Sequence, residues 1–465
     1  MSALASVEGA DVQAPVRPWS VFWVASIAVF LVSLDGTVLF AAFGALQEGF
    51  PATSAAALSW VLNAYTVVFA AMLIPAGGLA DRYGRKRIFV NGLTLFLAAS
   101  VACALAPDIY ALVGARVLQA VGAALLTPAS LSLVLDAFPL SQRALAVSLW
   151  GAVGALAAAV GPGLGSVLID HLGWPWAFYL NLPLGLLSLW RGGALLRETA
   201  SPLRARPLDW PGMILLLGAV VTIALLIVQF DAPDWTAGIR LGYAGVAGVL
   251  LAAFLVRMYR TPAPLVEPAL FANGTYRFVN LATLSFGIAF AMMFFGFFRF
   301  LTGVWGYSLS LAGMAVTPGP LMVIPTAIVV GRLAGRYGHR PFLVAGAGVY
   351  AASGLCLLLM PGSEPAYLLD WLPGLLLSGV GVGMVLPSLA GAAVARLPAA
   401  HYAVGSAFNQ ATRQIGAVIG VAITVLVLGE AADHHGAFVP LYLGQVGLAL
   451  ATGVLCLGVR TRPNA

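Results

Sequence analysis

Polar and charged residues fall in short clusters along this chain, and long unbroken apolar stretches run between them. Taking the charge and turn clusters as boundaries gives fourteen spans. They lie near 19–46, 57–79, 88–106, 109–134, 144–169, 176–196, 211–230, 241–257, 278–305, 312–331, 342–360, 367–395, 405–429 and 438–459. A helix that crosses a bilayer needs about 20 predominantly apolar residues. A transmembrane barrel strand would instead alternate apolar and polar positions over about 10 residues. The runs here are continuous and longer, so the pattern predicts an all-α polytopic membrane protein. Residues 19–46 form a full span behind a polar tail, which predicts a retained N-terminus rather than a cleaved leader.

Composition agrees: 61% of residues are hydrophobic and 9% charged, where a soluble domain carries about 25% charged residues. The placement of charge adds orientation. With the N-terminus cytoplasmic, nineteen of the twenty-three Lys and Arg fall on cytoplasmic tails, loops or helix ends. Arg240 falls in an outer loop, and Arg116, Arg299 and Arg413 lie within spans. Asp170, Asp231, Asp234, Glu364 and Asp433 fall outside. This asymmetry is the positive-inside rule. It predicts both termini in the cytoplasm of a cell (inner or plasma) membrane, and it assigns the net charge of +6 to topology rather than nucleic-acid binding.

The chain repeats itself. Leu79-Ala80-Asp81-Arg82-Tyr83-Gly84-Arg85-Lys86 and Leu333-Ala334-Gly335-Arg336-Tyr337-Gly338-His339-Arg340 share five of eight positions at an offset of 254 residues, each joining two spans on the cytoplasmic side. Parallel repeats of this kind mark secondary transporters. The offset predicts an N-terminal six-helix bundle (1–198), a linker with two inserted helices (199–260) and a C-terminal six-helix bundle (261–465).

Six motifs then carry a resemblance. They are Leu34-Asp35-Gly36-Thr37-Val38, Gly78 to Arg87, Arg116-Val117-Leu118-Gln119-Ala120-Val121-Gly122-Ala123-Ala124, Gly154 with Gly161-Pro162-Gly163-Leu164-Gly165, Trp174 to Pro183, and Asn409 to Gly416. In this order, and on these sides of the membrane, the chain resembles the major facilitator superfamily, in particular its fourteen-helix drug:proton antiporter branch. Ala120 and Pro175 depart from that pattern, standing where Gly and Arg are usual. The resemblance implies two six-helix bundles with an inserted hairpin, alternating access, proton antiport, export rather than import, and a gate at the 78–87 loop. It also implies a role for Asp35 in proton coupling.

The residues support a mechanism of their own. Asp35 is the one acidic residue deep within a span, and a central carboxylate costs about 2.5–3.5 kcal/mol to insert. Desolvation favours its neutral form and a nearby cation its charged form, so it can bind a proton in one conformation and release it in another. Arg116 lies at a similar depth by residue count and is expected to pair with it directly or through water. Thr37 is the polar neighbour expected to hold Asp35 if its role is structural. Asp81, Arg82 and Arg85 are expected to latch the cytoplasmic ends. Gly154, Gly161 and Pro162 are expected at a rocking interface, the proline kinking the helix and the glycines admitting a close neighbour. Asn63, Tyr65, Asn409, Gln410 and Arg413 are expected at the substrate cavity, with the Met292 to Phe298 run as apolar wall. Arg299 is expected to snorkel to the outer interface.

Other classes fit less well. Cys103, Cys356 and Cys456 sit in apolar runs and read as packing. The histidines lie in or near loops, and Asp433-His434-His435 reads as a solvated outer loop, so no metal site and no enzyme is expected. No cofactor beyond the coupling proton is implied. The expected partners are membrane lipids and an amphipathic or lipid-like small molecule, handled by a monomer without nucleic acid. Multidrug efflux is the first reading, and proton-linked export of one endogenous lipid or metabolite is the alternative.

Overall fold

The computed structural model describes residues 18–53, 55–198, 209–229, 235–398, 402–428 and 434–461. Residues 199–208 of the expected linker, together with Asp231, Asp234, His401 and Asp433, fall outside them. The chain forms α1 (Pro18–Gly49), α2 (Ala55–Tyr83), α3 (Arg85–Ala104), α4 (Ile109–Ala137), α5 (Arg143–Leu172), α6 (Trp176–Tyr179) and α7 (Leu182–Leu195). Then come α8 (Trp210–Val228), α9 (Ala237–Arg260) and the single turn α10 (Ala269–Ala272). They are followed by α11 (Gly274–Gly303), α12 (Leu309–Val316), α13 (Pro318–Tyr337), α14 (Arg340–Leu359), α15 (Leu372–Val394), α16 (Tyr402–Leu428) and α17 (Val439–Cys456). No strand occurs among the described residues.

Among the described residues, eleven stretches are long and apolar enough to cross a membrane, which makes this a multi-pass membrane protein. Three of the expected spans fall short of that standard. The 176–196 span is broken after Tyr179 and resumes at Leu182, with Pro183 in its first turn. The 211–230 span is apolar over Trp210–Ile223 of its described part. The 405–429 span carries Asn409, Gln410, Arg413 and Gln414 in its first half. The 312–331 span is likewise two helices, α12 and α13, that meet at Thr317 and Pro318.

Packing groups these helices. On one side α1 lies against α4 and α5, α4 against α2 and α3, and α7 against α1 and α3. On the other, α11 lies against α16 and α17, α14 against α15 and α17, and α13 against α15. The groups meet where α5 packs on α12 and α13 and where α2 packs on α16, while α8 pairs with α9 and rests on α2 and α16. Glycine governs the closest approach. A Cβ at Gly122 of α4 would lie 2.7 Å from the Phe96 nitrogen and 2.9 Å from the Gly92 oxygen of α3. Only a residue without a side chain lets two backbones come so near.

The sequence repeat has a structural counterpart. Gly84 links α2 to α3 at φ 105°, and Gly338 links α13 to α14 at φ 75°. Both conformations are open to glycine and costly for other residues. In each turn an arginine lies beside the next tyrosine: Arg82 is 5.7 Å from the Tyr83 ring centre and Arg336 is 5.4 Å from that of Tyr337.

Candidate functional site

Asp35 lies midway along α1 and Arg116 at the start of the third turn of α4; each is 1% exposed. The structure brings them together. An Arg116 terminal nitrogen donates to Asp35 Oδ2 at 2.6 Å and to Gln119 Oε1 at 2.6 Å, and Arg116 Nε donates to the Val61 carbonyl at 3.0 Å. The other carboxylate oxygen accepts from Gln119 Nε2 at 2.8 Å and Asn181 Nδ2 at 3.1 Å. Ser100 Oγ accepts from the same two amides at 2.9 and 3.3 Å. Tyr65 closes the cluster, its ring centre 4.0 Å from the Arg116 guanidinium carbon. Five segments, α1 to α4 and the α6–α7 break, therefore meet in one cluster, and the hydrogen bonds to the carboxylate all come from donors.

Helical spacing builds this arrangement. Gln119 is one turn beyond Arg116 on the same face of α4, and Ser100 comes from α3, which the glycine contact pulls against α4. Asn181 sits in the break between α6 and α7. Sequence reasoning reached Asp35 and Arg116 but not Gln119, Asn181 or Ser100. Gln119 was within reach, since a buried amide three residues from a buried arginine shares its face. Thr37, expected to hold Asp35, instead donates to the Ser33 and Leu34 carbonyls of its own helix, both at 3.1 Å.

The expected gate residues lie at the basic end of the bundle. Arg85 pairs with Asp81 at 3.2 Å and with Asp136. Glu198 accepts from the backbone N–H of Lys86 and of Arg87, each at 3.2 Å, at the first turn of α3. An acidic group is favoured there by the helix dipole. Asp136 and Glu198 had no sequence signal, because they lie 51 and more than 100 residues away from the loop they hold.

The helix-five residues divide between two faces. A Cβ at Gly163 would face Thr317 of the other group of helices at 3.7 Å, whereas three of the motif glycines face their own group. Gly154 faces Val29 and Ser33, Gly161 faces Thr37 and Gly165 faces Val38, all on α1. The opposite face makes the crossing contacts. Pro162 lies against Gly313 of α12, and Thr317 Oγ1 donates to the Ala159 carbonyl at 3.2 Å. Ser310 Oγ donates to Asp170 nearby.

The residues expected at a cavity also separate. Tyr65 is buried beneath Arg116, and Asn63 is half-buried on the same helix. Asn409 ties α16 to α11, donating to Asn280 Oδ1 at 3.2 Å and Thr283 Oγ1 at 2.8 Å. Gln410 lines a cleft between the two groups of helices, facing Leu73, Thr127, Leu131 and Trp150 and beside Ser406. In this conformation the cleft is pinched too tightly to admit water. Arg413 donates from Nε to Gln410 Oε1 at 2.9 Å. Met292, Met293, Phe294, Phe297 and Phe298 are buried in the α11 core rather than set on a cavity wall, and Arg299 is exposed.

Comparison with known proteins bears on the family and the fold. The family model described as "Major Facilitator Superfamily" matches residues 25–421. The methylenomycin A resistance protein of Streptomyces coelicolor is 32% identical, over 91% of this chain and 88% of its own. The puromycin resistance protein pur8 of Streptomyces alboniger is 34% identical over 97% and 92%. The tetracenomycin C resistance and export protein of Streptomyces glaucescens is 30% identical over 89% and 76%. Among solved structures, the human organic anion transporter MFSD10 (TETRAN) superposes with a TM-score of 0.65 at 16% identity. That match covers 96% of this chain and all of the other, and it marks a shared fold.

Proposed function

The chain belongs to the major facilitator superfamily, in its drug:proton antiporter branch, and from that premise we propose that it exports amphipathic small molecules in exchange for protons. The α1–α7 and α11–α17 groups are the two rocking halves, and α8 with α9 is the hairpin between them. Counting α6 with α7 and α12 with α13 as one crossing each gives fourteen crossings. The basic end carrying Arg85 and Arg340 faces the cytoplasm, as do both termini.

The carrying observation is the surrounding of Asp35. Its carboxylate accepts from Arg116, Gln119 and Asn181, so a proton bound there would meet donors only. Protonation removes the charge that Arg116 answers and turns one oxygen into a donor with no acceptor before it. The cluster must then rearrange, and it joins α1, α4 and the α6–α7 break in one half. Asn181 Oδ1 is buried without a hydrogen-bond partner, so turning that amide would supply the missing acceptor. Proton binding is thereby coupled to helix position, which alternating access requires.

Transport into inside-out vesicles tests this reading. With an acid interior, the wild type should accumulate a fluorescent amphiphile, and a protonophore should abolish the accumulation. Asp35→Asn should reduce it to the level of empty vesicles while leaving the amount of inserted protein unchanged. Full proton-driven transport by Asp35→Asn would refute the assignment.

A further inference from the structure

Acidic side chains are scarce inside this bundle, and the remaining carboxylates in the described helices, Glu48, Asp81, Asp136, Asp170 and Asp370, lie near their ends. Asp35 is taken up by Arg116. A cationic substrate entering between the halves would therefore meet no available carboxylate among the described residues. Arg413 is the opposite case. It lies about 17 Å along α16 from Tyr402, well inside the span, and Gln410 Oε1 is its hydrogen-bond partner. Arg85, Arg116 and Arg257 each pair with a carboxylate, whereas Arg413 meets an amide.

The register of α16 aims this cation. Asn409, Gly416 and Gly420 face α11, where Gly416 and Gly420 lie against Leu284, Gly287 and Ile288. Ser406, Ala407 and Gln410 face the cleft against the N-terminal half. At about 100° per residue, position 413 falls between these two faces, toward the junction of α11 with the cleft and away from lipid. The side chain is half-buried, one turn beyond Gln410 of the cleft. A guanidinium held by a single neutral amide keeps donors in reserve, in the planar geometry that carboxylates and sulfonates match.

We infer that Arg413, steadied by Gln410, receives the acidic group of the substrate, and that this protein selects amphipathic organic anions. The assignment rests on the export reading of the same cleft and names its substrate class. The apolar walls (Leu73, Leu131 and Trp150) hold the hydrophobic body of the molecule while Arg413 answers its charge.

The test uses the full chain in lipid nanodiscs and two probes that share one hydrophobic body. These are 1-anilinonaphthalene-8-sulfonate and the uncharged N-phenyl-1-naphthylamine, with binding read by calorimetry against empty nanodiscs. The wild type should prefer the sulfonate by about tenfold or more, as one hydrogen bond to a charged group provides. Arg413→Gln should bring the ratio of the two affinities to near one, while Arg413→Lys, which keeps the charge, should retain part of the preference. No sulfonate binding by the wild type, equal affinities in the wild type, or an undiminished preference in Arg413→Gln would each overturn the assignment. Proton-driven flux is measured separately in proteoliposomes. Charge preference without flux would refute export alone, and flux without charge preference would refute the anion assignment alone.

Discussion

Asp35 and Arg116 form a buried pair whose members depend on each other more than either contributes to stability. Removing one partner of a buried pair leaves an uncompensated charge and costs about 3–5 kcal/mol, whereas replacing both is often near neutral. Arg116→Ala should therefore lower the unfolding temperature in detergent far more than Asp35→Asn combined with Arg116→Gln. The double variant should recover most of the loss yet remain inactive in proton-driven transport. Arg116→Lys should rescue poorly, because a single ammonium cannot serve Asp35, Gln119 and the Val61 carbonyl from one rigid fork. His339, in the turn before α14, makes a separate prediction. Burial pushes its imidazole down to about 4, from an ordinary value of about 6.5. The unfolded chain then gains a proton that the folded chain refuses, so stability falls as pH drops from about 6.5 toward 4. His339→Asn should flatten that part of a melting-temperature profile and leave the values above pH 7 little changed. At this scale the sequence exposed the charged members of the site, because a charge inside an apolar run stands out. It did not expose Ser100 or Asn181, which are common polar residues until the fold sets them beside a carboxylate.

Helices here are set by glycine at some positions and indifferent to it at others. Gly122→Ala would press a methyl into the α3 backbone, where Phe96 and Gly92 cannot give way separately. It should cost about 1–3 kcal/mol through overpacking. Gly242→Ala on α9 meets nothing within 4 Å and should be neutral or slightly stabilising, since alanine favours a helix over glycine by up to about 1 kcal/mol. Melting temperatures of the two variants in one detergent would check the contrast. The helix-five motif shows how far its spacing was legible. A run of small residues announces that some helix comes close, but not which one. Gly154, Gly161 and Gly165 recur on one face and meet α1, whereas Pro162 and Ala159 fall on the face that meets α12 and α13.

For the molecule as a whole, the crossing contacts away from the basic end join Asp170 to Ser310 and Ala159 to Thr317. If the halves rock, these contacts must part in each cycle. Cysteines at positions 170 and 310, in a chain whose Cys103, Cys356 and Cys456 are replaced, should be bridged by a short bifunctional thiol reagent. Transport should stop on bridging and return on cleavage of the reagent. Unchanged transport in the bridged protein would mean that this end does not open.

The sequence by itself determined the membrane-embedded helical architecture, its internal repeat and the identity of its buried charges. Each is local: apolar run length, residue identity at a fixed offset, and a charge where none is expected. Tertiary structure alone decided which partners those charges have. It set Gln119, Asn181 and Ser100 around Asp35, brought Glu198 to the first turn of α3, turned Gly154, Gly161 and Gly165 toward α1, and left Arg413 beside a neutral amide. Those outcomes depend on which helix faces come together. Apolar residues cover nearly every face of a helix in a bilayer, so the sequence pattern says little about which face is turned to which neighbour.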